Sequence, residues 1–247
     1  MQFFVGRLRI KRRQLVLTML LAVISFLSGV LVNGAMKPVK PRALVEDVIN
    51  GALTNWYSGG DDGGAVVPDI TFYMSPNASM KILTPSGSGK EYYAERGISL
   101  PFSKRLELRF WWQINSNAKT FEVQINWYYL ESETTRRFTA SLVYLTSGTR
   151  WLYLATDGYY HDVQNGTQKV PVADTAVWIQ SRLVVDFGTH QYVEFSCGDR
   201  KFDLDEQALP NLVAFGGERI DWRFSVVNSN DNYSATANID DFVLIEE

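Results

Sequence analysis

The chain has 247 residues, 46% of them hydrophobic and 21% charged, with a formal net charge of −3, one cysteine and two histidines. The first 42 residues hold eight basic and no acidic side chains, which leaves 16 basic and 27 acidic residues, a net −11, in the remainder. So acidic a body argues against nucleic-acid binding, which needs clustered Lys and Arg against phosphate. A lone cysteine rules out an intrachain disulfide, and two histidines without a Cys/His cluster argue against zinc.

Five basic residues, Arg7, Arg9, Lys11, Arg12 and Arg13, precede the uncharged run LVLTMLLAVISFLSGVLV at 15–32. Eighteen residues make a helix of roughly 27 Å, just enough for a bilayer core of about 30 Å. The spacing predicts a basic cytoplasmic segment over 1–13 and a transmembrane helix or signal anchor over 14–34. Because Lys and Arg are retained inside, everything after it is exported. The alternative is a secreted protein released by cleavage near Gly34; the run exceeds the usual secretory core of about 7–15 residues, which favours retention. Residues 35–43, with prolines and basic residues, read as a stiff linker. The ectodomain is expected over 44–247.

Within it, two-residue periodicity dominates. Leu106, Leu108, Phe110, Trp112 and Ile114 alternate with Arg105, Glu107, Arg109, Trp111 and Gln113. Phe121, Val123, Ile125 and Trp127 alternate with Glu122, Gln124, Asn126 and Tyr128. The turn-rich NSNAK between them predicts a hairpin. Further strands are expected near 69–74, 79–84, 136–145, 150–156, 177–187, 190–197, 200–204, 219–228 and 234–245, with Val45–Leu53 as an edge segment. Many short strands without intervening helices mean a β-sandwich or barrel.

Asn55-Trp56 leads into the glycine-rich SGGDDGG, and then comes NASMKIL at 77–83. WIQSRLVVDF at 178–187, the stretch Gln191–Leu204 and the closing NIDDFVL at 238–244 complete the order. This succession resembles the concanavalin A-like/laminin-G superfamily and, more loosely, jelly-roll carbohydrate-binding modules, over residues 44–247. The resemblance implies an all-β, jelly-roll (concanavalin A-like) β-sandwich, preceded here by one N-terminal transmembrane helix. It also implies a structural Ca²⁺ where first and last strands meet, at Asp47 and Asp241. Asp61 and Asp62, between glycine pairs, are further oxygen donors of the kind Ca²⁺ takes. The superfamily's hydrolases carry E-x-D-x-E; the nearest stretch, Asp203-Leu-Asp205-Glu206, lacks the first glutamate, so no catalytic residue is assigned.

The remaining candidates are aromatics and amides on the polar phase of the two long strands. A ring stacks on the apolar face of a pyranose while amides read its hydroxyls. Paired as a hairpin, Trp111, Gln113, Gln124, Asn126 and Tyr128 would form one ligand-binding patch. The expected function is non-catalytic binding of glycan or other cell-surface material, on a membrane-anchored domain. A structural or assembly subunit of a surface layer or appendage is the rival, and a glycoside hydrolase-like enzyme the third reading. Sequons at Asn77, Asn165 and Asn232 are glycosylation candidates. Cys197, on one strand face with Phe195, is expected as a buried thiol.

Overall fold

The computed structural model describes residues 41–47, 53, 55–75, 77–99, 105–163, 177–204 and 207–247. The expected membrane helix at 14–34, its basic flank and Asn165 lie outside them. Residues 41–247 belong to one compact unit. Its strands are β1 (Arg42–Asp47), β2 (Tyr57–Gly60), β3 (Ala65–Asp69), β4 (Ser79–Leu83), β5 (Glu91–Ile98), β6 (Arg105–Ile114), β7 (Ala118–Glu131) and β8 (Thr134–Leu145). They continue as β9 (Arg150–Leu154), β10 (Tyr160–Asp162), β11 (Ile179–Asp186), β12 (Gln191–Cys197), β13 (Arg200–Asp203), β14 (Asn211–Val213), β15 (Arg219–Asn228) and β16 (Thr236–Glu246).

These strands form two antiparallel sheets. The first runs β13-β12-β11-β6-β16-β4-β3, with β1 paired to β16; the second runs β10-β9-β8-β7-β15-β5-β2, with β14 paired to β8. β1 begins at Arg42, inside the expected linker, and pairs with the C-terminal half of β16 from Arg42↔Glu246 to Asp47↔Phe242. First and last strands therefore meet, and of the edge segment expected over Val45–Leu53, residues 45–47 belong to this strand, while 48–52 lie outside the described residues.

The long strands β6 and β7 form as the alternation predicts, but they are not a hairpin. β6 pairs with β11 and β16 in the first sheet, and β7 with β8 and β15 in the second. The three-residue link 115–117 passes from one sheet to the other at the end of the sandwich, with Ser116 exposed. Asn115 Nδ2 and Asn117 Nδ2 both donate to the Ser234 carbonyl at 3.1 Å, and Asn115 Oδ1 accepts the Thr236 N–H at 3.0 Å. The physical reason lies in the apolar phases. Both strands carry large rings there, and those rings face each other: Trp112 stacks on Phe121 with centroids 4.8 Å apart, and Phe110 lies 6.4 Å from Phe121. Two ring-bearing faces bury more by opposing across a sandwich than by standing side by side on one sheet.

Trp112 sits at the centre of this core. Trp151 and Tyr144 each lie 5.4 Å from it, and its indole Nε1–H donates to Ser181 Oγ at 2.9 Å. A second cluster stacks Trp222 on Phe242 at 5.1 Å and Phe110 against Phe224 at the same distance. Cys197 is buried as expected, and burial pushes its thiol up to about 11, so it is packing rather than a nucleophile.

Residues 70–74 (ITFYM) are a loop and not the expected strand; the strand precedes them as β3. Asp69 ends it by accepting the Thr71 N–H at 2.8 Å, an Asx turn. The buried Asp240 then takes the N–H groups of Met74 and Ser75, at 2.7 and 3.0 Å, and the Ser75 hydroxyl at 3.0 Å.

Candidate functional site

The five nominated residues divide between opposite sides of the sandwich. Trp111 and Gln113 project from the outer face of the first sheet, beside Asp240 and Asn238 of β16. Gln124, Asn126 and Tyr128 project from the outer face of the second, where they oppose Arg223, Asp221 and Arg219 of β15. The single patch they were expected to form does not exist, because its hairpin is a crossover between sheets. Trp111 instead borders a depression with Trp178, Val177, Gln180 and Asp199.

The second sheet's outer face is built from alternate residues of β5, β15, β7 and β8. Asn126, Thr139, Ser141, Asp221 and Ser225 point outward, yet they are only 0–4% exposed. On a flat open face such short polar groups would be wet; here they are a sunken floor. Tyr160 shows why. It stands on edge strand β10, three strands from β7, yet its hydroxyl donates to Glu122 Oε1 at 3.0 Å. Its side chain therefore lies along the face and covers Ser141 and Glu122.

A continuous polar network covers the floor. Ser141 Oγ donates to Glu122 Oε1 at 2.5 Å and lies 3.1 Å from the Tyr160 hydroxyl. Thr139 Oγ1 donates to Asn126 Oδ1 at 2.9 Å, and Asn126 Nδ2 to Gln124 Oε1 at 3.3 Å. Arg223 lies flat on Tyr93 and Arg219 on Tyr128, each guanidinium carbon 3.6 Å from the ring centroid. Arg223 also donates to Glu91 at 2.8 Å, and Arg219 to Asp221 at 2.9 Å. Glycine makes the close packing possible: a Cβ at Gly97 would collide with the Asp221 carboxylate, and one at Gly59 with the Tyr93 ring.

Tyr128 was expected as a stacking ring, but Arg219 occupies one face of it and the residue is buried. Tyr93 is capped in the same way by Arg223. Buried Nε–H groups of Arg137 and Arg223 have no hydrogen-bond partner among the described residues. Gln124, Glu95 and Glu122 are half-buried beside them.

Burial, then the Asp221 charge, raises Glu95 above the ordinary carboxylate value; burial also raises Asp221, against the pull of Arg219. Burial and the neighbouring Glu122 push Tyr160 up as well, so its hydroxyl stays a donor. Because folded Glu95 holds a proton more tightly than the unfolded chain does, its contribution to stability is present at low pH. It is lost as pH rises from the ordinary 4.5 through the folded-state value. Glu95→Gln should therefore raise the melting temperature at pH 7 and flatten its pH dependence above 4.5. A lower melting temperature at pH 7 would show that the charge at Glu95 is stabilising.

Of the expected calcium ligands, Asp61, Asp62 and Asp241 lie among the described residues. Asp61 is spent internally: its Oδ1 accepts from Lys90 Nζ at 3.1 Å and its Oδ2 from the Glu91 N–H at 2.9 Å. That backbone donor, then the ammonium, lowers its pKa, and the ammonium occupies the side a cation would take. Asp62 is exposed, and Asp241 sits at a β-bulge with φ of 45°. The side chains of Asp47 and Asp203, with residues 205–206, lie outside those described. Among the described residues, no three His, Cys, Asp or Glu side chains group as metal ligands. Asn77 and Asn232 are both exposed.

Arg137, Arg219, Arg223, Tyr93 and Glu95 were missed as site residues. The signal for the β15 pair was present, since Arg219, Asp221, Arg223 and Ser225 alternate with Ile220, Trp222, Phe224 and Val226.

No family model matches the chain, and no curated protein matches it in sequence. Among solved structures it is similar to an endo-β-1,4-glucuronan lyase from the fungus Trichoderma reesei, with a TM-score of 0.53 and 8% identity over 82% of this chain and 95% of that one. Cellulose induced protein Cip1 aligns with a TM-score of 0.49 and 13% identity over 82% of this chain and 97% of that one. Basic winged bean lectin aligns at 0.47 and 9%, over 83% and 98%. At such identities the likeness is one of fold. The protein is a jelly-roll β-sandwich, and the resemblance to the concanavalin A-like architecture holds.

Proposed function

We propose that the outer face of the second sheet is concave and forms a binding cleft for polysaccharide, carried by a membrane-anchored domain outside the cytoplasm. One observation supports it above the others: an outward face whose polar floor is buried, with two guanidinium Nε–H groups left without partners. Buried unpaired donors cost stability in the free protein. A ligand rich in oxygen acceptors, such as a row of sugar hydroxyls, recovers that cost. Sugar-binding domains named among the fold neighbours include a winged bean lectin. The anchoring half of the reading rests on the apolar run and its basic flank.

The test is affinity electrophoresis of the full-length protein through gels carrying neutral and uronate polysaccharides, with size-exclusion chromatography alongside. Retardation by at least one polysaccharide, with the free protein monomeric, is expected. If none retards it and the protein self-associates, the face is an assembly surface and the binding reading fails.

A further inference from the structure

On the opposite side of the sandwich, at the junction of β4, β6 and β16, lies a half-open cavity of about 240 Å³ whose exposed wall is mainly apolar. Phe72, Lys81, Gln113, Asn115, Thr236 and Asn238 line it. We propose that it binds a single neutral pyranose ring, a site independent of the concave face.

Gln113 carries the argument. It is 4% exposed, and its buried Oε1 accepts no hydrogen bond from any described residue. The other amides of the cavity are already used. Asn115 is held by the Ser234 carbonyl and the Thr236 N–H, and Asn238 gives its Nδ2–H groups to Asp69 and Ser79, both at 3.0 Å. Hydrogen bonds thus hold Asn115 and Asn238 in place, while Gln113, in the cavity lining, keeps an acceptor without a partner.

The charges decide what donor can enter. Lys81 in the cavity lining is paired with Asp69 at 3.2 Å, so the lining offers no net charge to attract either a cation or an anion. Burial would raise Asp69, but the Thr71 N–H, Asn238 and Lys81 together hold it below the ordinary range, so the pair stays ionic. A neutral hydroxyl remains as the complementary donor.

Phe72 supplies the other half of a sugar site. Its ring is 43% exposed on the cavity wall, available to the C–H face of a pyranose. The loop that carries it is fixed beforehand: Asp69 takes the Thr71 N–H, Asp240 takes three donors from Met74 and Ser75, and Ser79 Oγ donates to the Phe72 carbonyl at 2.6 Å. A loop already ordered loses little entropy on binding.

Saturation-transfer NMR on the full-length protein with methyl β-glucoside, methyl β-galactoside and methyl α-mannoside tests the proposal. At least one should receive saturation on its ring protons. Gln113→Leu, which keeps the volume and removes the vacant acceptor, should weaken that binding about tenfold, one hydrogen bond's worth. Phe72→Ala, an exposed site with no burden on folding, should weaken it as much, and both variants should keep polysaccharide retardation at wild-type level. No transfer to any glycoside would mean that the cavity holds water only, and the proposal fails. Transfer that survives both substitutions but is lost in Gln124→Ala would place the sugar on the concave face, overturning this site while sparing the other.

Discussion

Trp112→Ala should destabilise the sandwich by about 3–5 kcal/mol, while Trp111→Ala, one residue away, should cost under about 2 kcal/mol. Trp112 is fully buried between Phe121, Trp151 and Tyr144, and its Nε1–H is the partner of the buried Ser181. Truncation opens a cavity in the most ring-dense part of the core and removes a hydrogen bond to the buried Ser181 hydroxyl. Trp111 points the other way, onto the outer face of the first sheet, and is half-buried against Trp178 and Val177. For a domain of this size, the Trp112 variant should lose roughly 10 °C or more of melting temperature. Equal losses at the two positions would contradict the assigned facing of β6. Trp111→Ala should also leave polysaccharide binding unchanged, because the concave face lies on the other sheet.

That pair shows what alternation conveys and what it does not. The apolar phase of 105–114 and of 118–131 identifies which side chains are core, and Trp111, Gln113, Gln124, Asn126 and Tyr128 do lie on outer faces. Alternation does not say which sheet a strand joins. A hairpin and a crossover between the sheets bury the same residues; only the rings meeting across the core, Trp112 on Phe121, distinguish them. Other elements were hidden by local chemistry. β5 reads EYYAERGI and alternates poorly because its inward phase includes Arg96, whose guanidinium lies 5.9 Å from the Trp222 ring. Residues 70–74 have strand-like composition but belong to a loop, since Asp69 and Asp240 claim the N–H groups a ladder would need. The site was legible only by halves: the polar phase of β7 was visible, but its neighbours Arg137, Arg223 and Tyr93 come from strands whose register no sequence pattern sets. Tyr160 comes from an edge strand of three residues, too short to show an alternation.

Removing the open donors of the concave face should abolish most binding without unfolding the protein. The double variant Arg137→Ala/Gln124→Ala is the sharpest form of this test. Arg137 stands opposite Tyr128 on β8, and its buried Nε–H lacks a partner; Gln124 is half-buried on β7 opposite Ser141. A ligand bond to a guanidinium is worth about 1.5–3 kcal/mol and one to a neutral amide about 0.5–1.5 kcal/mol. Losing both should weaken retention by a retarding polysaccharide about 100-fold. Stability should change little, since neither substitution leaves a core cavity and removing an unpaired buried donor offsets the loss of packing. Asn126, which gives up Gln124 as acceptor, keeps its bond from Thr139. Arg223 is the worse choice for this test, because its ion pair with Glu91 and its stacking on Tyr93 mix binding with folding. If the double variant is retarded like the wild type, with its melting temperature unchanged, the polar floor is a structural network and the ligand is held elsewhere on the sandwich.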